Sequence, residues 1–129
     1  MSRNVVATTS APAAIGPYSQ AVEINSTLYI SGQIPIDPAT AKLVEGGIEE
    51  QTEQVMKHIG NILSAAGYSF SDVVKSTCML TDLSNFSKMN EIYSKYYTKD
   101  FPARATFQAM ALPLGALIEI ETLAAKKTY

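Results

Sequence analysis

Two periodicities of apolar residues alternate along this chain, one of two residues and one of about 3.6, and they predict the order strand, strand, helix, strand, helix, strand, strand. Gln20–Ile24 and Thr27–Ser31 read as strands joined by a two-residue turn at Asn25-Ser26. Before them, Pro12, Gly16 and Pro17 predict a stiffened surface loop that presents Tyr18. After them, Gly32 to Gly47, with Pro35, Asp37-Pro38 and Gly46-Gly47, predicts an irregular arm with one short hairpin. Val55, Met56, Ile59, Ile62, Leu63 and Ala66 recur at helical spacing, so Ile48 to Ala66 is expected to be a helix capped by Gly67. Val73–Leu80 is β-branched and apolar at its start and reads as a strand. Asp82 or Ser84 is placed to cap a second helix from Leu83 to Tyr97, with Phe86, Met89, Tyr93, Tyr96 and Tyr97 as its buried stripe. Pro102 stops that region, and strands Ala105–Met110 and Ala116–Ala124 follow, turned at Pro113-Leu114-Gly115.

This order predicts an α+β domain, a mixed sheet with both helices on one face, because helical crossovers join parallel strands by right-handed connections. Two helices leave the other face bare. In the last strand Ile118, Ile120, Thr122 and Ala124 form the helix-covered set and Glu119, Glu121 and Leu123 point the other way. Elsewhere both sides look apolar, with Tyr29 against Leu28 and Ile30 and Met79 against Cys78 and Leu80, so the bare face invites oligomerisation.

At 129 residues and 47% hydrophobic content, the chain is expected to be a single domain over residues 1–129. Its formal charge of −2, scattered without a basic stripe, argues against a nucleic-acid partner. One cysteine excludes an internal disulfide, and no apolar run is long enough to span a bilayer; with no apolar segment of the secretory kind among the first ten residues, the cytoplasm or the mitochondrial matrix is the expected location.

Arg104 is one of two arginines and sits where a proline lead-in gives way to a strand, which holds a guanidinium as a rigid fork for a carboxylate. Tyr18, the Ile30–Gln33 segment, Arg104 and Glu119 lie at strand ends or loop tips where they could converge. Arg104 supplies an anion clamp, Glu119 a proton acceptor, Tyr18 and Ser31 hydroxyls, and Gly32 an approachable backbone amide. Each also has a plain structural alternative: Glu119 pairs with Arg104 or Lys126, Ser31-Gly32 ends a strand, and Tyr18 plugs a loop. His58, on the helix flank with Gln54 and Asn61, is expected to be solvated, and Cys78 to be a buried filler. Asn90 falls at the edge of the second helix's apolar stripe, as a surface amide or a pocket residue. No cluster has metal-ligand spacing and no Gly-rich phosphate loop is present.

Residues 14–21 (AIGPYSQA), 29–35 (YISGQIP), 101–105 (FPARA), 112–116 (LPLGA) and 118–121 (IEIE), supported by 44–47 (VEGG) and 89–93 (MNEIY), closely resemble the RidA family, also called the YjgF or reactive-intermediate deaminase family. The resemblance implies a chorismate-mutase-like α+β fold assembled as a homotrimer with clefts between subunits. It implies hydrolysis of 2-imino acids and their enamine tautomers, released by pyridoxal-phosphate enzymes acting on serine or threonine, to 2-keto acids and ammonia. Arg104 falls on the family's carboxylate-binding arginine and Glu119 on the carboxylate that positions water. Tyr18, Ser31, Gly32 and Asn90 fall on pocket positions, and Thr106 stands where many members carry cysteine. No metal or organic cofactor and no membrane is implied. The competing readings are a non-enzymatic small-carboxylate-binding regulator, a single-strand RNA endonuclease or translation inhibitor, and a chaperone-like surface.

Overall fold

The computed structural model describes residues 2–127. Strands β1 (Asn4–Val6), β2 (Ala21–Ile24) and β3 (Thr27–Gln33) come first, then the short hairpin β4 (Ile36–Asp37) and β5 (Lys42–Leu43). Helix α1 (Ile48–Ala65), strand β6 (Val73–Leu80), helix α2 (Phe86–Ser94) and strands β7 (Ala103–Gln108) and β8 (Ile118–Ala125) complete the order. Six strands form one mixed sheet in the order β1-β2-β3-β8-β6-β7, in which β6 and β7 are parallel and the other pairs antiparallel. Strand β8 is thus inserted between β3 and β6, which α1 connects, while α2 connects the adjacent β6 and β7.

Both helices cover one face, as the element order predicts. Val55, Met56, Ile59, Ile62 and Leu63 of α1 close over Leu28, Ile118, Ile120 and Ala124 of the sheet, and Met89, Tyr93 and Tyr97 join the same core. The alternation in β8 follows the expected assignment, with Ile118, Ile120, Thr122 and Ala124 fully buried. On the opposite face Tyr29 and Phe107 are exposed. Asn25 and Ser26 both take positive φ (51° and 59°), the backbone of a tight two-residue hairpin turn. Gly67, at φ 81°, follows the end of α1 in the left-handed conformation that a side chain disfavours.

Several boundaries differ from the sequence reading, for local reasons. Leu83–Asn85 forms a 3₁₀ turn, begun by Asp82 accepting from the Ser84 amide at 2.9 Å, so α2 starts at Phe86. Its end tightens into i→i+3 bonds, Tyr96 N–H to Tyr93 O and Tyr97 N–H to Ser94 O, and Tyr97 is buried from a turn rather than a helix. Phe86, expected in the buried stripe, is exposed. Strand β7 spans Ala103–Gln108 rather than 105–110 because it follows its parallel partner β6 from Lys75 to Leu80. Strand β8 starts at Ile118 because a 3₁₀ turn at Pro113–Gly115 occupies the preceding residues and the Leu117 amide is taken by Gln51 Oε1 at 2.8 Å. Strand β1 was absent from the sequence reading; its three residues carry no alternation to detect.

His58 is the clearest correction. It is 0% exposed rather than solvated, because the β4–β5 arm folds back over the flank of α1 that looked polar. Its Nε2 lies 2.6 Å from the Ile36 carbonyl and 3.2 Å from Gln54 Nε2.

Candidate functional site

The sheet's uncovered face carries a cleft of about 640 Å³, bordered by Tyr18, Ser31, Gly32, Ile34, Ile36, Leu114 and Glu119. Its floor is made where the pairing of β3 with β8 slips between Ile30 and Gln33, so that Ser31 and Gly32 bulge out of the regular ladder. Ser31 is committed to structure: its amide donates to Gln20 O at 2.9 Å and its hydroxyl to Ser19 O at 2.5 Å. These bonds fix the loop that displays the exposed Tyr18 ring. Buried Gln20 secures the same loop further back, accepting from the Thr8 amide and donating to Pro12 O, each at 2.7 Å.

Gly32 is required here by space. A Cβ at that position would lie 2.1 Å from Glu119 Oε2 and 2.9 Å from its Cδ, so the missing side chain is what lets the carboxylate lie against the backbone. Burial pushes the Glu119 carboxyl above its ordinary range, and neighbouring Glu121, two residues along the same face, adds to the shift. At the rim Leu114 holds φ 59°, an unfavourable backbone for a leucine, and thereby sets its side chain against the cleft.

Arg104 lies elsewhere. Its register partner across β6 is Ser76, which pairs in turn with Thr122, and both are buried under the helices. Arg104 therefore projects from the helix side at the β7 edge, where its guanidinium carbon sits 5.0 Å from the centroid of Tyr93 and 5.4 Å from that of Phe86. Nη1 donates to Asn90 Oδ1 at 2.8 Å. Phe86, Asn90 and Tyr93 are spaced to share one face of α2, so one helix supplies two ring faces and an amide that orient the cation. Thr106, in register with Cys78, is on the same side; Cys78 is fully buried and its thiol is pushed up to about 11 by burial.

Of the residues singled out in the sequence, the structure gathers Tyr18, Ser31, Gly32 and Glu119 into one cleft and Asn90, Arg104 and Thr106 into another cluster. It does not bring the two sets together within one chain. Glu119 pairs in register with Met79, on the bare face. The expected convergence of Arg104 with Glu119 is therefore not found within this chain, and Arg104 bonds an amide rather than an acid. Among the described residues no group of three or more histidine, cysteine or carboxylate side chains is placed to hold a metal, and no helix is long and apolar enough to cross a membrane.

Residues 8–126 match the family model described as Endoribonuclease L-PSP. The chain belongs to the YjgF/RidA family. It is 51% identical to the mouse protein named 2-iminobutanoate/2-iminopropanoate deaminase, over 98% of this chain and 94% of that protein. It is 52% identical to the human protein of the same name, over 95% of this chain and 89% of that one. A crystal structure of a Rid-family protein from Yersinia pestis superposes with a TM-score of 0.94 at 49% identity, covering 97% of this chain and all of the other. The mixed sheet with two helices on one face is thus the RidA fold.

For this RidA-family chain, sequence reasoning did not assign several residues around the two clusters. Glu121 lines the cleft beside Glu119, which its spacing of two along a strand signals. Phe86 and Tyr93 bracket Arg104, and their spacing around Asn90 was legible although the partner was not. Ile15, Pro113 and Leu114 at the cleft rim lie in segments read from the sequence as a loop and a turn, without a sign that they border the cleft.

Proposed function

We propose that the protein is a 2-imino acid deaminase, hydrolysing 2-iminobutanoate, 2-iminopropanoate and their enamine tautomers to 2-keto acids and ammonia. Its working form in this reading is a homotrimer whose clefts are each completed by a neighbouring subunit. The observation that carries the proposal is the preset guanidinium of Arg104: exposed, oriented by Asn90 and two rings, and bonded to a neutral amide rather than neutralised by an acid. A planar fork of this kind takes a carboxylate by two parallel hydrogen bonds. The names of the mouse and human relatives, at 51% and 52% identity, point to the same substrate class.

The chemistry follows from the two clusters. Arg104 of one subunit grips the substrate carboxylate, which fixes the adjacent imine carbon at a constant offset from the clamp. Glu119 of the neighbouring subunit, its basicity raised by burial and by Glu121, orients a water and takes its proton as the oxygen bonds to that carbon. Glu119 returns that proton to the nitrogen of the tetrahedral intermediate, and as the C–N bond breaks the intermediate's hydroxyl proton also passes to nitrogen, so that ammonia leaves and the carbonyl forms. A free imine hydrolyses readily in water, so positioning and one proton acceptor suffice for the acceleration required. The reaction suits the cytosol or mitochondrial matrix, wherever dehydratases generate such imines.

RNA cleavage is the rival that the family model's description raises. The chain's sole histidine is buried under the arm, so no histidine pair is available for acid–base chemistry on RNA, and the net charge of −2 offers no phosphate track. The deciding experiment couples the protein to a threonine dehydratase with threonine and follows 2-ketobutyrate and ammonia. The protein is expected to accelerate both, Arg104→Ala to abolish the effect, and sedimentation to give a trimer for both forms. Full activity in Arg104→Ala would overturn the mechanism.

A further inference from the structure

His58 is the chain's one histidine, and neither cluster uses it. It is fully buried, and a carbonyl can only accept, so the 2.6 Å contact with Ile36 O places the ring proton on Nε2. Nδ1 meets no partner among the described residues, so the burial of this polar ring is offset chiefly by the bond to Ile36.

That carbonyl belongs to β4, and the β4–β5 arm otherwise closes mainly on itself. Val44 N–H donates to Pro35 O at 2.9 Å, Ala41 N–H to Asp37 O at 2.8 Å, and the Ala39 amide to Asp37 Oδ1 at 2.9 Å. Glu50 ties the arm's far end to the start of α1 by accepting from the Gly47 amide at 2.8 Å. Between that anchor and the sheet, His58 supplies the side-chain bond from the middle of α1 to the arm. Ile34 and Ile36, which the arm carries, form part of the apolar wall of the cleft that holds Glu119.

We propose that His58 is a positioning residue for the cleft: by holding the Ile36 carbonyl it fixes the wall made by Ile34 and Ile36, and so sets how well larger aliphatic 2-imino acids are accepted. The substrate class in this statement rests on the deaminase reading above; the holding of the arm does not. A wall fixed from behind by one hydrogen bond discriminates chiefly among side chains long enough to touch it. The smallest imines, held by their carboxylate, escape its influence.

The test compares His58→Leu, which removes the donor, with His58→Gln, whose amide N–H can reach the same carbonyl. In His58→Leu, amide exchange at Val44 and Ile36 is expected to speed up by about tenfold or more through opening of the arm. With imines generated from amino acids of increasing side-chain length, KM for the longer ones is expected to rise by about tenfold while kcat for the two smallest stays within about twofold. His58→Gln is expected to restore most of both. Unchanged exchange at Val44 in His58→Leu, or a KM increase equal for short and long imines, overturns the inference. A wild-type protein without imine hydrolysis would sink the deaminase reading alone, and the exchange comparison would still decide whether His58 holds the arm.

Discussion

Arg104 and Glu119 stand on opposite faces of one sheet, on β7 and β8, with β6 between them. No rotation of either side chain brings the two to a common small substrate. If both act in one reaction, they come from different subunits, and complementation tests this directly. Arg104→Ala and Glu119→Gln are each expected to be inactive alone. In the homotrimer proposed above, an assembly of both kinds of subunit always contains one interface with an intact pair, so co-refolding equal amounts should restore about a quarter of wild-type activity. No recovery, with hybrid trimers verified by mass, would show that the two side chains do not share a cleft.

Gly32 tests the same cleft from the backbone. An added methyl would meet the end of the Glu119 side chain at 2.1 Å, and because that side chain can swing away, folding should suffer little. In the mechanism proposed above, the displaced carboxylate, however, loses its aim at the water. Gly32→Ala is therefore expected to lower kcat by about 10²-fold while the melting temperature stays within a few degrees of wild type. A variant that keeps its kcat would remove Glu119's present position from the mechanism.

How much of this was legible beforehand depended on whether the signal was local. The periodicity of Val55, Ile59 and Ile62 marked α1 because a helix reads its core face within its own turns. The faces of β8 followed from alternation for the same reason. What Arg104 faces was not readable, since it depends on the register of β7 against β6 and on which helix turn lies above. His58 misled for a related reason: a flank that looks polar along one helix was covered by an arm contributed from 22 residues earlier. The resemblance to the RidA family named the cleft residues, but only the fold shows that they divide into two clusters.

Thr122 offers a stability test away from both clusters. It is fully buried in β8, paired in register with Ser76, and its hydroxyl meets no hydrogen-bond partner among the described residues. A desolvated hydroxyl left unpaired costs about 1–3 kcal/mol, and valine preserves the shape. Thr122→Val should raise stability by about 1 kcal/mol in urea unfolding. A loss of stability of similar size would mean that the hydroxyl is bonded within the core.

Glu119 should show the opposition between stability and function most directly. Its folded-state carboxyl is raised above 4.5 by burial and then by Glu121, so the folded chain holds that proton more tightly than the unfolded one. The sign follows: the contribution to stability is fully present below the ordinary glutamate value and is lost as pH rises through the raised folded value. At neutral pH the ionised carboxylate is thus a net cost to the fold, one that the proposed mechanism turns to activating water. Glu119→Gln removes the charge and nearly preserves the shape. It should melt higher than wild type at pH 7, with the gap closing toward pH 4, while losing imine hydrolysis. Wild-type kcat/KM should in turn fall on acidification, with a midpoint above the ordinary glutamate range. A Glu119→Gln variant less stable than wild type at pH 7 would mean that a partner in the assembled protein compensates the charge, and the raised basicity invoked for catalysis would go with it.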